Sequence, residues 1–175
     1  MNIKNAILKE HSKKQCEIIV KYVGKSPERF AELMKCFFDK EYQMSQRAAW
    51  PVSYCVQRNP ELIKPYLKKL LDNLSNSGLH DSIPRNTIRL LQYVQIPKRF
   101  YGRVMDICLN YISSPTAAVA IKAFSITVLQ NLAKEYPEII NEIKLIIDER
   151  WDYETAAFKA RARKILKIPH VNPNK

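Results

Sequence analysis

The chain has 175 residues, enough to bury about two-thirds of its unfolded surface in one compact unit or one short repeat array. Three glycines against ten prolines argue against a sheet of tight hairpins and for helices joined at proline-marked corners. A net charge of +12, from 29 basic and 17 acidic side chains, is compatible with attraction to nucleic acid, an anionic membrane or an acidic protein, and equally with a merely soluble basic surface.

In chain order, residues 3–23 read as a leading, capping helix. Ser26 then offers an N-cap, Pro27 fills the first helical position, and Glu28 suits the helix dipole. Phe30, Leu33, Met34, Phe37 and Phe38 recur at helical spacing, which predicts a helix over 27–40. Alanine-rich residues 45–57 form its partner. Asn59, Pro60 and Glu61 repeat the opening for a helix over 60–74, followed by a partner over 84–94. Pro97, with Lys98 in place of glutamate, opens 97–113, and 116–134 follows it. Pro137 and Glu138 open 137–149, with Ile139, Ile143, Ile146 and Ile147 on one stripe, and 153–167 closes the series. Pro51 and Pro65 fall inside their helices and should each kink or restart one. Residues 168–175 are expected to be a loose tail, leaving 1–167 as a single domain.

Laid over each other without a gap, 14–38 and 47–71 match Lys14 to Arg47, Pro27 to Pro60 and Glu28 to Glu61. The prolines at 27, 60, 97 and 137 form one ladder. Basic residues at 47, 85, 122 and 159 form a second, and periods of this length mark a repeat array. A hydrophobic-then-basic step entering an alanine-rich second helix resembles the HEAT repeat. It stands out at Ile121-Lys122-Ala123 and Phe158-Lys159-Ala160, and more faintly at Gln46-Arg47-Ala48 and Pro84-Arg85-Asn86. The aspartate usual before that step is absent or displaced, Asp39 lying eight residues ahead of Arg47. The resemblance implies an all-α fold, a right-handed α-α superhelix (HEAT-like solenoid) of about four to five helical-hairpin repeats. It also implies that the second helices line a concave side. The candidate binding surface is then Arg47, Trp50, Tyr54, Arg85, Arg89, Tyr93, Lys122, Arg161 and Lys164.

Signatures for chemistry are missing. The sequence has no glycine-rich phosphate loop, GxSxG or HExxH, and His11, His80 and His170 are too scattered for a metal site on one helix face. Paired carboxylates at Asp148-Glu149 and Asp152-Glu154 read as solvated charge. No catalytic residue, cofactor, metal or small-molecule substrate is therefore expected. The function implied is a non-catalytic scaffold for another macromolecule, a protein before others. The alternative is a basic nucleic-acid binder akin to the HEAT-like alkylpurine DNA glycosylases, for which Trp50, Tyr54, Tyr93 and Trp151-Asp152 are the aromatic and acidic candidates.

Basicity gathers toward the second half. Residues 83–133 carry six basic side chains and one acid, Asp106, and residues 155–175 carry six and none. The cluster in "FKARARKILKIP" fits the polar outer face of a terminal repeat. Cys16, Cys36, Cys55 and Cys108 sit singly in apolar patterns and read as buried free thiols. No stretch is long and apolar enough for a signal peptide or a membrane span, so a cytoplasmic protein without membrane contact is expected.

Overall fold

The computed structural model describes residues 1–76 and 78–167, and all regular structure among them is helical. The chain divides into two compact units, Met1–Gln95 and Ile96–Lys175. The tail expected at 168–175 lies outside the described residues.

The first unit runs α1 (Ile3–Lys9), α2 (Lys13–Val23), α3 (Pro27–Phe37) and α4 (Tyr42–Arg58). A 3-10 segment (Pro60–Tyr66) then leads into α5 (Leu67–Leu74), and α6 (Ser82–Leu91) completes it. Helix α4 is its axis, packing against α1, α2, α3, α6 and the 3-10 segment. Ala48 and Ala49 are fully buried on it, and their small side chains let neighbouring backbones approach closely. Met44, Val52, Cys55 and Val56 fill the rest of its buried surface. Opposite them, Phe30 and Phe37 of α3 are essentially enclosed, each such burial contributing about 1.5–3 kcal/mol.

The second unit runs α7 (Tyr101–Ser113), α8 (Val119–Leu132), α9 (Ile139–Arg150) and α10 (Ala156–Leu166), with single 3-10 turns at Lys98–Phe100 and Trp151–Tyr153. Here α8 is central, packed on α7 and α10, while α9 also touches both of those. Ile126, Leu129, Ile143, Ile147, Phe158 and Ile165 form its core.

The sequence predicts one helix over 3–23, but the structure has two. Glu10 is extended, and Ser12 caps a new helix by accepting the Gln15 N–H at 3.1 Å. The carbonyls exposed at the end of α1 are taken by side chains. Gln15 Nε2 donates to Ala6 O at 2.7 Å, and Arg47 Nη1 donates to Leu8 O at 2.8 Å.

Proline punctuation works in more than one way. Ser26 caps α3, with Pro27 in its first turn. Asn59 makes no side-chain cap. Its Nδ2 donates instead to Gly24 O at 3.1 Å, joining the corner after α4 to the corner after α2. Pro97 precedes a 3-10 turn, and Pro137 stands two residues before α9 begins. Helix α4 continues through Pro51, whereas Pro65 falls in the 3-10 segment and a regular helix resumes at Leu67. All four cysteines are free and buried. Burial pushes the thiols of Cys16, Cys55 and Cys108 up to about 12.

Candidate functional site in the first unit

Two second helices, α4 and α6, pack side by side and leave a cleft of about 300 Å³ between their exposed edges. Gln46, Trp50 and Tyr54 are spaced four apart, so α4 presents them as one stripe. Ser82, Arg85, Asn86 and Arg89 form the matching stripe on α6. Both stripes line the cleft, joined by His11 from the break between α1 and α2 and His80 from the loop before α6.

Aromatic contacts hold one wall. His11 meets Trp50 edge-on at 5.8 Å between centroids and 62° between planes. Trp50 meets Tyr54 at 6.2 Å and 61°. The Arg89 guanidinium sits over the Tyr54 ring, 4.7 Å from its centroid. Hydrogen bonding from Arg89 and then Trp50 favours the phenolate and holds the Tyr54 hydroxyl below its ordinary value.

The other wall supplies donors. His80 Nδ1 accepts the backbone N–H of Ser82 at 3.1 Å and lies 3.0 Å from its hydroxyl. In the neutral ring this puts the proton on Nε2 and leaves that atom as a donor. Asn86 is only 4% exposed, and its Nδ2 is engaged by Ser82 O at 2.8 Å. Arg85 is exposed, and no carboxylate of the described residues pairs with it or with Arg89. Asp81, one turn ahead of Arg85, does not line the cleft. The lining thus has two guanidinium groups, two imidazoles and amide donors, but neither aspartate nor glutamate.

Four of the nine residues expected on a binding surface therefore meet here: Trp50, Tyr54, Arg85 and Arg89. Arg47 is half-buried and spent on Leu8 O, and Tyr93 is exposed beyond the end of α6, off the cleft. The other three lie in the second unit. Lys122 is a correction: it is 4% exposed and forms an ion pair with Glu154, so it belongs to no surface. Glu154 corrects the expectation of a solvated Asp152-Glu154 pair in the same stroke, being 8% exposed and also 3.2 Å from Arg150 Nη2. Arg161 Nη1 donates to Thr127 Oγ1, and its guanidinium lies 5.3 Å from the Phe124 ring centroid. Lys164 is exposed in the last turn of α10, where a cation complements the helix dipole. Trp151 is half-buried, with Lys159 Nζ 5.5 Å and the Arg163 guanidinium 5.7 Å from its ring centroid, and Asp152 is exposed.

His11, Gln46, His80, Ser82 and Asn86 were not among the expected site residues. Gln46 and Asn86 were within reach of the sequence, since each continues a stripe that already held two candidates. The histidines were not, because both come from breaks between helices. Among the described residues, no group of three or more His, Cys, Asp or Glu side chains could hold a metal ion, and no helix is long and apolar enough to cross a membrane.

No curated protein and no solved structure matches the chain. A family model described as a HEAT repeat domain matches residues 3–168, which take in every helix above. With its paired helices and recurrent basic step, the chain belongs to the HEAT-repeat family and is an all-α helical-repeat scaffold.

Proposed function

We propose that this scaffold acts by binding rather than catalysis, and that the α4–α6 cleft holds an anionic segment of a protein partner. The observation that carries this is the cleft lining: Arg85 and Arg89 beside an aromatic wall, with no acidic side chain to neutralise them. Charge-assisted hydrogen bonds from guanidinium groups are the strong contacts available to a carboxylate or a phosphate.

A nucleic-acid base is the poorer fit. A base stacks on an open ring face, and here a face of Tyr54 is covered by Arg89 while Trp50 is flanked edge-on by His11 and Tyr54. Four free, buried cysteines suit a reducing compartment, so the proposal places the protein in the cytoplasm.

The test is fluorescence anisotropy with labelled acidic peptides and a DNA duplex, each over a salt series. Peptide binding that survives physiological salt and weakens in Arg85→Gln and Arg89→Gln is the expected result. Duplex binding with a steep salt slope, in the absence of peptide binding, would replace the proposal with a nucleic-acid function.

A further inference from the structure

We infer that the anion this cleft is built to receive is a phosphate monoester carried on the partner segment, such as a phosphorylated side chain. The inference rests on the binding proposal above and narrows it to one ligand chemistry.

The first ground is the match of charge. Arg85 and Arg89 stand one turn apart on α6, where like charges repel, and no carboxylate of the described residues pairs with either. A carboxylate brings one negative charge and two oxygens, which a single guanidinium fork can satisfy. A phosphate monoester brings about −1.5 to −2 at neutral pH and three acceptor oxygens. Two guanidinium groups facing one space suit the second ligand better than the first.

The second ground is preorganisation. Arg89 is held over Tyr54, so its planar fork is oriented before any ligand arrives. His80 Nδ1 is engaged by Ser82, which fixes the ring and leaves Nε2–H as a third kind of donor at the cleft. Buried Asn86 and Ser82 join in its lining. The third ground is size. A cavity of about 300 Å³ has room for a phosphoryl group and part of the side chain that bears it, with Trp50 as the apolar wall for the latter.

The experiment uses the full chain with Trp151→Phe, so that Trp50 is the remaining tryptophan and reports on the cleft. It is titrated with three probes: phenyl phosphate, methyl phenyl phosphate and benzoate. These share a ring and differ as monoester, diester and carboxylate. Phenyl phosphate is expected to bind about tenfold more tightly than either of the others, with the advantage gone in Arg85→Gln and reduced in Arg89→Lys. Lys164→Gln, in the other unit, should leave it intact.

Benzoate binding as well as phenyl phosphate would overturn the phosphate inference and leave the acidic-partner proposal standing. The diester binding as well or better would overturn both in favour of a phosphodiester, and hence a nucleic acid. No change in Trp50 emission with any probe at millimolar concentration would remove the cleft as an anion site altogether.

Discussion

Replacing Glu154 with glutamine keeps the shape of the side chain and removes the charge that Lys122 faces. The two side chains are 5% and 3% exposed, and Arg150, at 20%, approaches the same carboxylate oxygen from the solvent side. In the variant Arg150 can turn toward water, but the Lys122 ammonium, on the buried face of α8, cannot. Breaking a buried pair in this way costs about 3–5 kcal/mol. A loss near 4 kcal/mol is thus expected in urea unfolding followed by far-ultraviolet circular dichroism, a large share of the ~5–15 kcal/mol that holds a typical fold. The companion variant, Lys122→Met with Glu154→Leu, removes both charges and fills the space with hydrocarbon. It should recover most of the loss, because the desolvation cost disappears together with the attraction. A single-variant loss under ~1 kcal/mol, or a double variant as unstable as the single, would refute the assignment of a desolvated pair at this joint.

At Tyr54, Arg89→Leu removes the donor that contributes most to its lowered value, so the phenol should titrate at higher pH than in the parent. Tyrosine-ring NMR across the alkaline range checks this, and an unchanged or lower midpoint would contradict the Arg89 contact. Thiol reagents attack the thiolate, and burial holds Cys16, Cys55 and Cys108 near 12. Labelling at pH 8 should therefore be slow for these three in the folded chain and complete on adding urea. Fast modification of any of them before unfolding would count against the packing of α2, α4 or α7. Phe158→Ala empties a fully enclosed site in α10 and should cost about 3–5 kcal/mol in the same urea assay, whereas Tyr153→Ala, at 79% exposure, should cost little.

Helix positions were legible because proline, caps and apolar spacing are local signals. Ser26 and Pro27 start α3 as expected, and the boundaries of α4, α7 and α8 fall within a few residues of those read from the pattern. The split of 3–23 was missed because the polar run 9–14 reads as the exposed face of one continuous helix until the Ser12 side chain is seen capping a new one at the Gln15 N–H. The roles of the basic ladder were not legible at all. In sequence, Arg47, Arg85, Lys122 and Lys159 are equivalent openings of second helices. In the structure Arg47 reaches a carbonyl 39 positions earlier and Lys122 a carboxylate 32 positions later, Arg85 lines a cleft, and Lys159 lies beside an indole ring. For Arg47 and Lys122 the outcome is set by what a distant segment places opposite, and one repeat read alone does not contain that. Four of the six candidates in the first unit still converged, because residues spaced four apart on packed helices must share a face.

Helix α1 has only seven residues, fewer than two turns, and a helix that short does not persist on its own in water. Its order is borrowed from Gln15 of α2 and Arg47 of α4, which grip its last carbonyls from two sides. His11 follows that grip by three residues and rests against Trp50 at the cleft. Arg47, which never touches the cleft's contents, thereby sets where one of its imidazoles stands. The short first helix is thus pinned at its end by two later helices, α2 and α4.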